Sequence, residues 1–433
     1  MSRAGQARSH GFYARSLFQR PDYAPLEGHE QTDTVIVGGG LAGINTALSL
    51  AEKGCKDVCL LEAEQLGFGA SGRNGGFVFS GYSLDEGALL KQLGPGRARS
   101  LYQRTIEAVN TVRQRIDRYG IDCDRVDEGV IWANWFDDPG ILKARQALLE
   151  QHFGSHWQWL PREQLRHQLV TDRYTDALFE PNAMHINPLK YLLGLAEAAS
   201  GQGVLFHEHS AVTAVERDGQ GWRVRCGEAS VRCRRVLLAC GGYLSGLVGK
   251  IDRAVLPIAT YVMVTEPLGE RLHDYIRTRA AVYDTRFAFD YYRVLPESRL
   301  LWGGRISVRD RSPGEVQRLL RKDLARVYPA LADAPVAESW SGLMSYARHQ
   351  MPQLGTRGDG LYWAQAFGGH GLAPTTVAGE VMAAALTGDS EPLQSFADYR
   401  LVEAFRPAGW LAAQANYWYL QARDWGRAAS SGR

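Results

Sequence analysis

No run of apolar residues in the chain approaches the length that spans a bilayer, so a membrane-crossing helix is excluded. An excess of charge of either sign is missing too: 49 basic residues stand against 47 acidic ones, a formal net charge of +2. Bulk electrostatics therefore point to neither nucleic acid nor an acidic membrane as a partner. The opening MSRAGQARSHGFYARSLFQRP is charged and lacks an apolar h-region, so no secretory signal is expected. Cysteine is sparse, with Cys55, Cys59, Cys123, Cys226, Cys233 and Cys240 showing no paired metal spacing. Reduced, mostly buried thiols in a cytoplasmic protein are expected, with no metal site. Of the 433 residues, 45% are hydrophobic, enough for a large core and for two domains.

What is present begins at Thr32. The apolar run Val35 to Val37 leads into Gly38, Gly40 and Gly43 at G-x-G-x-x-G spacing, and a helical pattern follows at once. Gly38 suits a tight turn, Gly40 lets the backbone approach a pyrophosphate, and Gly43 lets helix and strand pack closely. Amides at the helix start, at Leu41 and Ala42, are then placed to carry phosphates. A second apolar run, Val58 to Leu61, ends in Glu62 and Ala63, where a carboxylate takes the hydroxyls of an adenosine ribose. Strand, glycine turn, helix, strand and acid in one piece predict a dinucleotide site. Beyond it, EQLGFGASGRNGGFVF packs five glycines among small polar residues. A loop of that kind bends tightly or lies against something flat. Ala70, Ser71, Arg73, Asn74, Gly75 and Gly76 are expected to face the cofactor.

Helical periodicity dominates from Leu84 to Tyr119 and again from Pro139 to Leu169, the latter interrupted near Pro161. Strands are expected at Gly129 to Trp135, Gly203 to Phe206, Ser210 to Arg217 and Trp222 to Cys226, with a helix from Leu189 to Ala199. Arg235 to Cys240 reads as a buried strand that brings Gly241 and Gly242 to the cofactor. Residues 256 to 345 are rich in strands, broken by a helix over Pro313 to Val327. Within them Tyr291, Tyr292, Arg293, Trp302 and Arg305 form a face that could wall a pocket. Near the end, a strand over Leu361 to Ala366 meets the turn at Gly368 to Gly371 and a helix starting near Pro374. The positive end of that helix suits an electron-rich ring. The aromatics Trp410, Tyr417, Trp418, Tyr419 and Trp425 mark a tail that docks on the body or on a second subunit.

The fingerprint, the loop of residues 67 to 76 and the segment FGGHGLAPTTVAGEV together resemble the FAD-dependent amino-acid and amine oxidase superfamily, D-amino-acid oxidase-like proteins. Within it the chain is similar to bacterial gamma-glutamylputrescine oxidases, with L-pipecolate oxidases as near relatives. The resemblance implies an α/β fold: a glutathione-reductase-like FAD-binding domain interleaved with an α+β substrate domain containing a mixed or antiparallel sheet. The expected FAD-binding domain takes residues 30–90, 180–255 and 346–390. Residues 91–179 and 256–345 then form the helical cover and substrate domain, 1–29 an N-terminal arm and 391–433 a docking tail. By position, the resemblance also implies that Val212 meets the adenine and that Gly369, His370, Gly371 and Leu372 lie beside the isoalloxazine. Some relatives tether the flavin through a cysteine shortly before that segment. Gly342 to Pro352 holds Met344 and no cysteine, so FAD is expected to be non-covalent.

Oxidising a C–N bond by hydride transfer needs a neutral amine over the flavin, a pocket that excludes water, and donors that stabilise negative charge on the ring. His370 is a candidate hydrogen-bond donor. Arg305 and Arg348 are candidate carboxylate anchors, because a planar guanidinium grips a carboxylate through two parallel hydrogen bonds. His349 is a further candidate. The expected substrate is an amine resembling gamma-glutamylputrescine, with oxygen or another electron acceptor. The alternatives are a cyclic secondary amino acid such as L-pipecolate, a non-catalytic flavoprotein binding module, and an NAD-linked dehydrogenase. The last is disfavoured by the glycine-rich segment at 367 to 371. A homo-oligomer is allowed.

Overall fold

The computed structural model describes residues 11–244 and 246–430, so the expected N-terminal arm lies partly outside the described residues. The chain enters through β1 (His29–Gln31) and β2 (Thr34–Val37), turns at Gly38, and runs into α1 (Leu41–Glu52) and β3 (Val58–Leu61). After the covering helix α2 (Pro95–Tyr119) it returns with β4 (Leu205–His207) and β5 (Arg235–Leu238). The next stretch supplies β6 (Leu256–Thr265), β7 (Tyr291–Leu295), β8 (Arg299–Ser307), α3 (Pro313–Val327) and β9 (Val336–Tyr346). It closes with β10 (Leu361–Gln365), α4 (Leu372–Leu386) and α5 (Ala408–Ser430).

Among the described residues, a six-stranded sheet runs in the order 353–356, β10, β5, β2, β3, β4. β2 is flanked by β5 and β3, both parallel to it. Its four residues are all buried, and β-branched side chains in a continuous run suit a strand covered on both faces. α1 lies on one face and α4 on α1. Arg115 of α2 clamps the layer, donating to Asn45 Oδ1 at 2.8 Å and Ser49 Oγ at 2.8 Å while pairing with Glu52 at 2.6 Å. On the other face sits a smaller sheet in which β1 pairs in parallel with strand Ala229–Cys233.

A mostly antiparallel eight-stranded sheet runs β9, β6, β8, β7, then 281–284, 130–133, 177–180 and 158–160. α3 backs it, started by a capping box in which Ser312 and Glu315 bond each other's backbone amides. Val316, Leu320 and Leu324 of α3 share a core with Tyr261, Tyr292 and Trp302. No helix among the described residues is long and apolar enough to cross a membrane.

Three expectations change. The stretch from Pro139 to Leu169 is not purely helical: Gln158–Leu160 is an edge strand pairing with 177–179. Three residues are too few to show a period of two, and cross-strand partners decide the matter. Ala229–Cys233 is a strand that flanking turn residues concealed. The face expected to wall a pocket is split by strand alternation. Tyr292 and Trp302 sit opposite each other and stack at 4.5 Å in the core behind the sheet. Tyr291 points to the other side.

Arg293 shares the face of Tyr291, and both side chains meet the glycine loop. It is 2% exposed, and no carboxylate among the described residues pairs with it. Its Nε donates to Gly75 O at 2.6 Å and its Nη2 to Ile186 O at 2.8 Å and Tyr13 Oη at 3.2 Å. Nη1 reaches His185 Nδ1 at 3.1 Å. That nitrogen is an acceptor because the other ring nitrogen faces the carbonyl of Arg279 at 2.8 Å. One guanidinium thus joins the arm, the glycine loop and the roof. Arg293→Met should leave these partners buried and unpaired, destabilising the protein by roughly 2 to 5 kcal/mol. Arg293→Lys should recover little, because an ammonium lacks the planar fork. The urea midpoint at matched FAD content measures this, and a midpoint unchanged in Arg293→Met would refute the linking role.

Candidate functional site

One cavity of about 1240 Å³ runs from the fingerprint to the underside of the eight-stranded sheet. Gly38, Gly40, Leu41 and Ala42 line its first end. Gly43 does not. Its role is packing: a Cβ there would lie 2.1 Å from Gly38 O. Gly38 itself has φ +114° and would press on Ala239 O. A Cβ at Gly40 would approach only Ser71 Oγ, at 3.0 Å. The first turn of α1 therefore presents its amides to the cavity with no side chain of Gly40 to cap them. Ser71 Oγ accepts from Leu41 N at 2.9 Å and ties the glycine loop to this helix start.

Glu62, Ala63 and Val212 line the same end. The Glu62 carboxylate is held by Gly39 N at 2.6 Å and Glu64 N at 3.0 Å. Burial pushes its carboxyl above the usual range, and these two amides oppose the shift. Sequence reading missed Glu208 beside it, which is buried and accepts from Leu66 N at 2.6 Å and from Arg20 at 2.7 Å.

Ala70, Ser71, Arg73, Asn74, Gly75 and Gly76 border the middle of the cavity. Three of their side chains are occupied within the protein, Ser71 by the bond just described. Asn74 donates to Ala70 O and Ser71 O and accepts from Gly76 N, so its amide shapes the loop. Arg73 reaches Gly69 O and Tyr243 Oη and lies over Phe68. Gly76, at φ +79°, could carry no Cβ: Ile186 O lies 2.0 Å from that position. Gly241 faces the cavity from the end of β5.

At the far end, Gly369, His370, Gly371 and Leu372 line the cavity where α4 begins. The helix starts two residues before the expected Pro374, with Gly371 as an N-cap that offers no side-chain bond. Ser83, which no sequence signal marked, fixes the turn. Its Oγ accepts from Gly369 N at 2.8 Å and His370 N at 3.2 Å and donates to Phe367 O at 3.1 Å. Phe79 meets the His370 ring at 4.5 Å and Tyr283 at 5.6 Å, and Tyr283 meets Phe289 at 5.5 Å. With Tyr291 these rings form an aromatic chamber beside the turn. Tyr417 of α5 packs on Phe287 at 5.7 Å and Asp424 accepts from Phe287 N at 2.7 Å, so the tail covers the cavity mouth. Leu411, Trp418, Tyr419 and Trp425 of the same helix are exposed.

His370 contacts the cavity yet is enclosed by protein on its other sides. Burial, with the charge of Arg145 behind it, holds its imidazole down at about 4. Behind Phe79, Ser80 donates to Glu180 at 2.7 Å, and burial raises that carboxyl to about 7.

The other catalytic candidates fare differently. Arg305 borders the cavity but its fork closes on Asp323 of α3, at 2.5 and 2.8 Å. Thr260 pairs with Ile306 and Tyr261 with Gly304, which leaves Arg305 as a bulge residue at φ +58°. A bulge re-aims its side chain, here toward Asp323 of α3. The anchor expectation is corrected: Arg305 holds sheet to helix. His349 does not line the cavity. Its Nε2 faces Arg400 O at 3.2 Å and its Nδ1 accepts from Met351 N at 3.2 Å, so both nitrogens are engaged. Arg348 does line it, exposed beside the Phe405 ring, and no carboxylate among the described residues pairs with it.

Two helix N-termini whose N-cap glycines bring no side chain, facing one elongated cavity, one beside a ribose-type carboxylate and one beside an aromatic chamber, make the architecture of a two-domain flavoprotein and fit FAD. The chain belongs to the FAD-dependent oxidoreductases of the amine and amino-acid oxidase superfamily: the profile of the family described as FAD dependent oxidoreductase matches residues 33–385. It is 34% identical to the gamma-glutamylputrescine oxidoreductase of Escherichia coli strain K12 over 389 residues, covering 89% of this chain and 91% of that one. It is 32% identical to the probable oxidoreductase OrdL of Haemophilus influenzae, covering 91% of each. In three dimensions it is similar to glycine oxidase from Geobacillus kaustophilus, with a TM-score of 0.71 at 20% identity over 86% of this chain and 99% of that one.

Gly43→Ala should push α1 off β2. At about 1 to 3 kcal/mol for overpacking, FAD affinity falls about 5- to 150-fold. The flavin-to-protein absorbance ratio after dialysis reads this, and full retention would show that the contact does not set the phosphate site. A second expectation concerns pH. An imidazole at about 4 is neutral throughout pH 5 to 8 and gains its proton only below that range, so His370→Gln should shift no limb of the rate profile there. Glu180 remains as a group titrating near 7 in both proteins. A limb between pH 5 and 8 that vanishes in His370→Gln would overturn the neutral assignment.

Proposed function

We propose that the protein oxidises the C–N bond of an amine whose carboxylate, where it has one, lies far from the reacting carbon, as in gamma-glutamylputrescine. The observation that carries this reading is the allocation of guanidinium groups around the aromatic chamber. Arg305 is closed on Asp323, Arg293 is engaged on backbone carbonyls, and Arg73 is held by Gly69 and Tyr243. An amino acid with its carboxylate on the reacting carbon needs a cation at that place, and these three are committed elsewhere. Arg348, at the cavity wall and free of ion pairs among the described residues, suits a distant carboxylate.

Bound FAD supplies the hydride acceptor. The chain does the rest. Phe79, Tyr283, Phe289 and Tyr291 exclude water, which disfavours an ammonium and favours the neutral amine that can give up hydride. The neutral His370 can orient that amine by a hydrogen bond. The amides opening α4 would stabilise negative charge that develops on a flavin bound in the cavity. FAD is held non-covalently on this reading, since Gly342 to Pro352 offers Met344 and no cysteine. Six free thiols are consistent with a reducing, cytoplasmic setting.

Anaerobic mixing with gamma-glutamyl amines, plain diamines and cyclic amino acids tests the proposal. A gamma-glutamyl amine should bleach the visible flavin band fastest, and air should restore the band if oxygen is the acceptor. Acid precipitation should leave the flavin in the supernatant. Arg348→Met should raise the half-saturating concentration about tenfold, ~1.4 kcal/mol, for the carboxylate-bearing amine and leave the matched diamine unchanged. Fastest bleaching by L-pipecolate would favour the cyclic amino-acid reading, and no bleaching by any amine would favour a binding module.

A further inference from the structure

Away from the cavity, beneath the ribose end of the main sheet, three side chains from three strands converge. Glu30 of β1, Cys59 of β3 and His207 of β4 each turn a donor atom inward, and these atoms lie within 4.8 Å of one another. Neither sequence spacing nor the flavin chemistry marks them. We propose that Glu30, Cys59 and His207 form a binding site for a divalent cation of zinc type, closing the smaller sheet onto the dinucleotide-binding sheet.

The argument starts from the imidazole. His207 Nδ1 lies 3.1 Å from Ala24 O, and a carbonyl can only accept, so Nδ1 carries the proton. In the neutral ring Nε2 then holds a lone pair. That nitrogen is buried and has no hydrogen-bond partner among the described residues. The nearest charged atom is Glu30 Oε2, at 3.7 Å, which as a carboxylate has no proton to offer. A lone pair turned toward an anion leaves a place for a cation between them, and a metal ion there, unlike a proton, also reaches the Cys59 sulfur. A ring whose second nitrogen donates to a backbone carbonyl is also the arrangement that orients metal-ligating histidines.

Cys59 supplies the third donor. It is 0% exposed and on the same face of its strand as Leu61, the residue paired with His207. One thiolate, one imidazole and one carboxylate suit Zn²⁺, which takes sulfur, nitrogen and oxygen in fourfold coordination. Cys226, whose thiol donates to Ser210 O at 3.4 Å, is otherwise engaged. Water entering past the half-exposed Glu30 fills the fourth position. On binding, the Cys59 S–H bond breaks, its proton passes to solvent, and the sulfur's electron pair forms the bond to the metal, with no change of oxidation state. The site lies next to the cofactor's acid, because His207 O accepts from Glu62 N at 2.9 Å. A cation there fixes β4 against β1 and β3 and steadies the strand ends from which Glu62 projects.

The test is equilibrium dialysis of the FAD-loaded, full-length protein against Zn²⁺ after chelator treatment, with metal analysis and a thermal melt. One Zn²⁺ per chain and a higher Tm are expected. Co²⁺ in its place should give a thiolate-to-metal charge-transfer band in the difference spectrum that Cys59→Ser lacks. Because Cys59→Ser alters the core, Glu30→Gln and His207→Gln decide the matter, with flavin content as the check on folding. Each should weaken Zn²⁺ binding at least about tenfold, the scale on which even outer partners of metal ligands act. His156→Gln, at an exposed histidine, should bind as the parent does. Failure to retain stoichiometric Zn²⁺, or retention unchanged in both Glu30→Gln and His207→Gln, would overturn the site.

Discussion

Backbone-to-backbone contact at glycine is the constraint on which the rest of the structure depends. Gly43 lets α1 settle on the carbonyl of Gly38, and Gly38 in turn lies against Ala239 at the end of β5. One layer further out, Gly379 lets α4 cross α1 with no room for a Cβ, which would fall 2.5 Å from that of Asn45. Strand, helix and helix are therefore stacked at the smallest spacing a chain allows. The consequence is electrostatic. α1 and α4 come to rest with their glycine-started N-termini on one cavity, and two patches of positive potential are fixed at the two ends of a dinucleotide-sized space.

The roof is positioned by different physics. Arg293 is a buried cation neutralised by dipoles, two carbonyls, a phenol and an imidazole, and not by a carboxylate. Such a group is favourable only when every donor finds its partner, so it tolerates one arrangement of the arm, the glycine loop and β7. The neighbouring Arg305 follows the opposite rule, pairing with Asp323 through a bulge. Neither guanidinium is turned into the chamber, whose lining is aromatic faces and the His370 imidazole.

The tail adds a further boundary. α5 places Tyr417 against Phe287 and seats Asp424 on the Phe287 amide, while Gln414 accepts from Ser307, the last residue of β8, and from Val308 just beyond it. Substrate access and the outward face of α5 are thereby linked, since the helix that presents Trp418 and Trp425 to solvent is also the one that walls the cavity mouth.

By itself the sequence determined the strand–turn–helix–strand unit at Thr32 to Glu62, the helix over Pro313 to Val327, the strand that ends at Gly241, and the turn before α4. These are local statements: glycine where no Cβ fits and unbroken apolar runs where both faces are covered. Only the tertiary structure decided what each arginine and histidine does. Arg293, Arg305 and Arg348 are alike in composition and close in the chain, yet one is a buried hub, one an ion-pair partner and one exposed at the cavity. His370 and, as a further candidate, His349 were both expected at the site, and His349 is engaged by Arg400 and Met351 while His370 faces the chamber. Ser83, Glu208 and the trio of Glu30, Cys59 and His207 carried no sequence signal at all. A polar side chain's role is set by whichever partner the fold brings within about 3 Å of it, and partners distant in the chain leave no periodicity to read.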